Sequence, residues 1–150
     1  LFYQGDQFPA RYKNGAFITF HGSTNRAPYP QSGYIVGFVP FKDGKPSGDF
    51  EVFADGFAEV DPIVNTKDAV HRPMGLAVGP DGELYSSDSV KGKIWKVAYD
   101  GNKDEFEKYY EGLSIVNRLI EEAIGHKDVI KVSQQDMCDS LYKNSFFAKF

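Results

Sequence analysis

This chain of 150 residues has one cysteine, no long apolar run and no excess of positive charge. The single Cys138 cannot form an internal disulfide and lacks the partners of a zinc site, so cysteine chemistry does not stabilise the fold. No apolar run is long enough to cross a bilayer, which predicts no membrane span. Lys and Arg number 17 against 21 Asp and Glu. This balance predicts no nucleic-acid partner, because phosphates require a basic face.

The sequence also begins without Met and without the features of a signal peptide. Its first residues, LFYQG, show neither a basic start nor an apolar core. We therefore expect a processed or partial product. The composition is 41% apolar and 25% charged, which excludes disordered and collagen-like classes and predicts a globular domain. The many Phe, Tyr and Gly residues favour strands and turns.

Short apolar runs broken by turn residues extend from Ala16 to Tyr99 and predict a mainly β structure. Candidate strands cover residues 16–20, 34–39, 49–54, 74–78, 83–86 and 93–99. Turns with Gly after Asp lie between or after them, at residues 42–45, 79–82 and 100–102. A Gly at such a point can adopt positive φ, so each turn is predicted to close a tight hairpin.

The same plan of strand, Ser-containing loop, Gly and outgoing strand occurs twice, about sixty residues apart. The outgoing part of one copy covers residues 33–44, and that of the other covers residues 92–101. Repeated small antiparallel sheets of this kind are typical of β-propeller blades. Two blades cannot close a ring. The pattern therefore predicts that a missing remainder or a partner covers the open faces.

The character of the sequence changes after Tyr99. Apolar residues at spacings of three and four, followed by Gly125, predict a helix at about Leu113 to Ile124 whose apolar stripe packs on the β part. A partner-binding role for that stripe is the alternative. Residues 134–150 show no clear period. We therefore divide the chain into propeller blades at 1–101 and a helical or irregular tail at 102–150.

Several motifs resemble the glucose/sorbosone dehydrogenase family, most of all its L-sorbosone dehydrogenase branch. In order along the chain they are FPARY at 8–12, FITFHGSTNR at 17–26, FADGF at 53–57 and HRPMGLAVGPDGELY at 71–85. The resemblance covers residues 2–99. It implies the C-terminal blades of a six-bladed β-propeller that uses pyrroloquinoline quinone (PQQ) and calcium.

The resemblance also implies cofactor-binding residues. Arg72 precedes the predicted strand at 74–78, and its planar guanidinium suits the carboxylates of PQQ. The alternative is an Arg72 that pairs with a nearby Asp at the edge of a blade. Asn25 and Arg26 lie in the loop after the first strand, where the glucose-oxidising branch presents a lysine. In the alternative interpretation, Ser23, Thr24 and Asn25 satisfy backbone groups of a turn.

The sequence supplies neither a clear catalytic base nor a metal site. The family's histidine base lies on an early blade, before this chain begins, and a lone His such as His21 or His71 is more often a hydrogen-bonding turn residue. Four aspartates with calcium-type oxygens lie in separate turns and are interpreted as turn residues: Asp43, Asp55, Asp81 and Asp88. Cys138 lacks the Cys-x-x-Cys-His signature of heme attachment.

Taken with the resemblance, these observations predict part of a PQQ-dependent sugar dehydrogenase that oxidises an aldose or sorbosone-type sugar by hydride transfer to the quinone. The main alternative is a non-catalytic, propeller-derived interaction or scaffold subunit. A lactonase-like calcium propeller is a third possibility, weakened by the absence of matched inward carboxylates. The partners expected are the sugar substrate and the remaining blades or a partner chain. The resemblance implies a secreted or periplasmic location.

Overall fold

A computed structural model describes residues 1–112 and 146–149 of the chain. A short 3-10 helix, Ala10–Tyr12, precedes the strands. Backbone hydrogen bonding defines nine strands in this part of the chain: β1 Ala16–Phe20, β2 Ile35–Val39, β3 Phe41–Lys42, β4 Lys45–Pro46, β5 Glu51–Ala54, β6 Pro73–Val78, β7 Leu84–Asp88, β8 Ile94–Tyr99 and β9 Phe146–Lys149. One helix, α1, occupies residues 103–112.

The strands form antiparallel sheets, so the mainly β fold class is confirmed. The first sheet has the order β1-β2-β5, the small sheet pairs β3 with β4, and the second large sheet has the order β6-β7-β8-β9. Each of the six predicted strands is present, the first with the predicted bounds and the others with bounds shifted by one or two residues. The described residues do not show closure of a propeller ring.

Two of the predicted Asp-Gly turns close hairpins. Asp43 and Gly44 connect β3 to β4 and both have positive φ, 52° and 74°, as a two-residue hairpin turn requires. Gly82, between β6 and β7, also has positive φ at 87°. The third turn was predicted wrongly. Asn102 begins α1 instead, and its side-chain oxygen accepts bonds from the N–H groups of Asp104 and Glu105.

The internal repeat has a different register from the predicted one. β1 and β6 lie against each other as the first strands of their sheets. β2 therefore corresponds to β7, and β5 corresponds to β8. The sequence pattern had equated the segments that form β2 and β8, because similar Gly-x-Ile and Asp-Gly motifs flank both.

An aromatic core lies between the two large sheets. Phe17, Phe38 and Phe53 of the first sheet are buried, and the rings of Phe17 and Phe53 are 4.5 Å apart. The second sheet contributes Leu84, Trp95 and Val97, and the N-terminal segment adds Tyr3, Phe8 and Tyr12. Burial of an aromatic side chain removes a large apolar area from water, so these rings dominate the stability of the sheet packing.

The N-terminal segment links both sheets by hydrogen bonds. The hydroxyl of Tyr3 donates to the carbonyl oxygen of Gly82 at 2.7 Å. The amide of Gln7 accepts from the N–H of Tyr99 at 2.7 Å and donates to its carbonyl oxygen at 2.5 Å. The amide side chain therefore satisfies the backbone of Tyr99 at the end of β8, beyond the last pair of β8 with β7 at Leu84.

The tail contributes α1 and β9. β9 pairs with β8 and so adds a strand to the second sheet, in a segment to which the sequence assigned no structure. The predicted helix at Leu113 to Ile124 lies outside the described residues. The division at residue 101 stays a prediction. Within the described ranges, no helix has the length and apolarity that a bilayer crossing requires.

Candidate functional site

The candidate site lies where the end of β1 meets the start of β6 and the turn after β7. The hydroxyl of Thr19 donates to the carbonyl oxygen of Met74 at 2.5 Å, which joins β1 to β6. This contact connects strands 55 residues apart in sequence. It brings the loops that follow β1 and precede β6 to the same end of the two sheets.

Asp88 organises the turn beneath the site. It is 5% exposed, and its carboxylate accepts four hydrogen bonds of 2.7 to 3.1 Å. The donors are Nδ1 of His71 and the backbone N–H groups of Arg72, Val90 and Lys91. Burial opposes ionisation, but these bonds outweigh it and lower the pKa of Asp88 to about 2. The ionised carboxylate therefore holds the start of β6 and the β7–β8 turn together.

His71 is the buried partner of Asp88. Its ring packs edge-on against Trp95 with centroids 4.9 Å apart, and Nε2 lies 3.4 Å from Oε1 of Glu59. An ionised carboxylate only accepts hydrogen bonds, so Nδ1 of His71 carries the proton it shares with Asp88. His71 is thus a structural residue of this turn.

Arg72 stands above this buried pair, half-buried, beside the loop that follows β1. Its Nε donates to the carbonyl oxygen of His21 at 3.0 Å, and its guanidinium carbon lies 5.4 Å from the centre of the Tyr34 ring. Across the described ranges, neither terminal nitrogen of Arg72 has a hydrogen-bond or ion-pair partner. Within the described residues, Arg72 is therefore held by one edge of its guanidinium.

His21 and Ser89 complete the cluster. Nε2 of His21 lies 2.7 Å from the Ser89 hydroxyl, and both residues are exposed. Desolvation and the nearby Arg72 guanidinium lower the pKa of His21 below its ordinary value. His21 is therefore neutral near pH 7, and one of its ring nitrogens can accept a hydrogen bond.

The loop at residues 21–34 carries the other two predicted site residues. Ser23 closes its base, where its N–H donates to Ser32 O at 2.7 Å. Arg26 is exposed and donates to the carbonyl oxygen of Pro30 at 3.1 Å, and Asn25 is also exposed. No hydrogen bond or ion pair in residues 1–112 connects either side chain to Arg72. Their predicted role in cofactor binding stays a prediction.

Sequence reasoning selected Arg72 as a ligand-binding residue and interpreted its neighbours His21, His71 and Asp88 as turn residues. The alternative, an Arg72 side chain paired with an Asp, is not found in the described part of the chain, because Asp88 bonds to the backbone N–H of Arg72 instead. Asp88 does organise a turn, as interpreted, whereas the role of Ser89 was missed. The polar run at residues 86–89, at the end of an otherwise apolar strand, was the available signal.

A metal ion would need several ligand side chains close together among the described residues. No group of three or more His, Cys, Asp or Glu side chains there is arranged to hold a metal ion. The four predicted turn aspartates are not gathered into one site. Calcium stays a prediction from the sequence, as does PQQ.

The fold and the site define a class of protein: packed antiparallel sheets with a polar cluster on the loops at one end. Comparison with known families is more specific, since residues 2–100 match a family model described as TrAA12-like. The chain belongs to the TrAA12-like family. An uncharacterized protein from Borreliella burgdorferi is 30% identical over 100 residues, which cover 66% of this chain and 24% of that protein. No solved structure matches.

This result corrects the family predicted from the sequence. The matching model is TrAA12-like, and neither comparison gives evidence for the glucose/sorbosone dehydrogenase family. The predicted function as a PQQ-dependent sugar dehydrogenase depended on that membership and is withdrawn with it. The motifs that carried the resemblance include Gly-Pro-Asp-Gly at residues 79–82, which forms the tight turn between β6 and β7. Turns of this kind recur in unrelated β proteins, because hairpin geometry selects the same residues.

Proposed function

We propose that this chain is the ligand-binding part of a larger β-propeller and that Arg72 binds a carboxylate or phosphate group of a small molecule. The observation that carries the proposal is the hydrogen bonding of the Arg72 guanidinium. Its Nε is fixed by His21 O, and its terminal nitrogens have no partner among the described residues. A pre-positioned planar cation of this kind suits bidentate binding of a planar carboxylate.

The surroundings of Arg72 favour an anion over a cation. The Ser89 hydroxyl lies beside His21, and it can donate to a ligand when Nε2 of His21 carries the ring proton. The carboxylate of Asp88 is below the surface and already accepts four bonds, so it does not compete for the guanidinium. Asn25 and Arg26, exposed on the adjoining loop, are proposed to contact more distant parts of the same ligand.

The propeller part of the proposal rests on sheet geometry and on length. The sheets β1-β2-β5 and β6-β7-β8-β9 are consecutive, antiparallel and packed face to face through an aromatic core, as neighbouring propeller blades are. The matched segment spans about a quarter of the length of the Borreliella burgdorferi relative. We propose six blades in all, with the others supplied by further sequence or by a partner chain. The secreted or periplasmic location stays a prediction.

The test is calorimetric titration of the purified protein with three anions: PQQ, propane-1,2,3-tricarboxylate and inorganic phosphate. Each is titrated with calcium and again with a chelator. Arg72→Gln is expected to weaken binding about 10- to 100-fold, the loss of one charge-assisted contact worth about 1.5–3 kcal/mol. Lys42→Gln removes the same charge on the β3–β4 hairpin and is expected to bind as the wild type does. Failure of the wild type to bind any of the three, or equal effects of both substitutions, would overturn the proposal.

A further inference from the structure

Tyr34, directly before β2, has a backbone conformation that bulky side chains rarely adopt. Its φ is 60°, in the left-handed region. Asn14 and Asp43 also have positive φ, but their short polar side chains tolerate it through local hydrogen bonds. An aromatic residue has no such compensation. Strain of this kind persists where the surrounding structure requires the residue, and it is concentrated at ligand sites.

The burial of Tyr34 does not by itself require an aromatic ring. The side chain is 1% exposed and belongs to a small cluster with Ala58, Ile63 and Ala69. These three neighbours are aliphatic, so an aliphatic side chain would also supply apolar packing there. The ring must be explained by its other contacts, which are with Arg72 and with the loop at 21–34.

Arg72 is the first of these contacts. Its guanidinium carbon lies over the Tyr34 ring, 5.4 Å from the centre, within the range of a cation–π interaction. The Nε of the same side chain donates to His21 O. A hydrogen bond at one atom leaves a long side chain free to rotate about it, whereas contact with a ring face also restricts the guanidinium plane. Tyr34 and His21 together therefore orient Arg72.

The base of the loop at 21–34 is the second contact. Gly22 lies against the ring, because a Cβ added there would be 2.4 Å from Cε1 and Cζ of Tyr34. The Tyr34 hydroxyl lies 3.4 Å from the carbonyl oxygen of Ser23. From these residues the loop continues to Asn25 and Arg26. One buried ring therefore contacts both parts of the proposed anion site.

We propose that Tyr34 is a positioning residue that fixes the Arg72 guanidinium relative to the loop at 21–34 and thereby selects ligands by the spacing of their anionic groups. This inference rests on the anion site of the proposed function. A compact anion such as phosphate needs Arg72 alone, whereas a tricarboxylate can contact Arg72 and the loop together. Loss of the ring should therefore weaken binding of the extended ligand more than that of the compact one, because pre-organisation of two contacts is lost.

The first experiment needs no ligand. NMR records the Nε–H resonance of Arg72 in the full-length protein, where the ring current of Tyr34 shifts it. Tyr34→Phe keeps the ring and is expected to leave the resonance in place, whereas Tyr34→Leu is expected to move it towards that of an unstructured arginine. Phe53→Leu removes a buried ring from the aromatic core and, as the matched control, is expected not to move it. An unmoved resonance in Tyr34→Leu, or equal movement in Phe53→Leu, would overturn the positioning role.

The second experiment is calorimetric titration of the same variants with propane-1,2,3-tricarboxylate and with inorganic phosphate. Tyr34→Leu is expected to weaken phosphate binding about 3-fold, as the loss of one cation–π contact would. It is expected to weaken tricarboxylate binding about 10-fold, because the loop is released as well. Tyr34→Phe and Phe53→Leu are expected to bind both anions as the wild type does. Equal losses for the two anions would overturn the selection by spacing.

The two proposals fail in different ways. If the wild type binds neither anion, the ligand role of Arg72 is overturned, and the selection of ligands with it. Anion binding by the wild type that is unchanged in Tyr34→Leu would overturn the role of Tyr34 alone.

Discussion

Nδ1 of His71 lies 2.7 Å from Oδ2 of Asp88, and both side chains are buried. Together they connect the segment before β6 to the end of β7, beneath the loops that carry Arg72 and Ser89. A buried ion is costly unless its hydrogen bonds are satisfied, and the Asp88 carboxylate satisfies this condition with four donors. The position of Arg72 therefore depends on a polar network whose own side chains, His71 and Asp88, are buried.

Substitution of Asp88 tests this dependence. Asp88→Ala leaves the N–H groups of Arg72, Val90 and Lys91 and the ring of His71 without their acceptor. We expect a loss of about 3–5 kcal/mol in the free energy of unfolding, as when one partner of a buried network is removed. Urea unfolding measures it. Asp81→Ala, at an exposed turn, is the control and should cost far less. A similar small loss for both would show that the network is dispensable.

The stability of the protein should also depend on pH through Asp88. Its pKa is about 2 in the folded chain, below its ordinary value of 3.8, so the unfolded state binds the proton first as the pH falls. The stabilisation from Asp88 is complete above about pH 4 and is lost as the pH falls towards 2. The expected change is about 2 kcal/mol, from the difference between the two pKa values. Unfolding curves from pH 6 to pH 2 check it, and in Asp88→Asn this component should be absent.

Arg11 connects the tail to the first sheet and provides a third prediction. Its side chain is 8% exposed, bonds to Glu51 at 2.6 Å and to the Tyr110 hydroxyl at 2.8 Å, and lies over the ring of Tyr110. Burial disfavours its charge, but the bond to Glu51 outweighs burial and raises the pKa of Arg11. Arg11→Met should destabilise the chain by about 3 kcal/mol, because it leaves Glu51 unpaired. It should also speed hydrogen exchange in α1, because the contact of Arg11 with Tyr110 is lost.

The control for Arg11 is Lys13→Met. Lys13 forms an exposed ion pair with Asp6, where water screens the charges. Lys13→Met should therefore leave both the unfolding free energy and the hydrogen exchange of α1 almost unchanged. Slow exchange of α1 in the Arg11→Met protein would contradict the proposed connection.

How much of this could be predicted from the sequence depends on the distance over which each signal acts. β1 and the turn at Asp43-Gly44 follow from local patterns, since an apolar run and a residue tolerant of positive φ define them. The contact between His21 and Ser89 spans 68 residues and is created by the packing of β1 on β6, which no local pattern contains. Arg11 was missed for a related reason. A single Arg is ordinarily exposed, and only the folded chain surrounds it with Tyr12, Phe38 and Tyr110.

The same reasoning explains why the tail was predicted least well. The Asp-Gly pair at residues 100–101 resembles a hairpin turn, but Asn102 immediately after it caps a helix. Both outcomes use the same residue types, because short polar side chains suit turns and helix N-termini alike. The choice depends on whether a partner strand follows, and here β9 returns to β8 only after the tail.

The base of the site loop rests on two glycines that face each other. Gly22 and Gly33 have φ of 109° and 100°, and a Cβ added at Gly33 would lie 2.9 Å from the Cα of Gly22. The neighbour is backbone and cannot rotate away. Gly33→Ala should therefore cost about 2–4 kcal/mol of stability, which combines the strain of positive φ with overpacking.

Gly44→Ala is the matched control for this prediction. Gly44 also has positive φ, at 74°, but an added Cβ there would have nothing within 4 Å. Only the conformational strain remains, about 1 kcal/mol. Urea unfolding of both variants measures the difference, and an NMR titration of His21 shows whether the site loop has moved. A shifted His21 resonance is expected in Gly33→Ala alone, because Gly22 follows His21 directly. Equal stability losses, with His21 unmoved in both variants, would show that the backbone at Gly22 yields and that the loop does not need glycine at position 33.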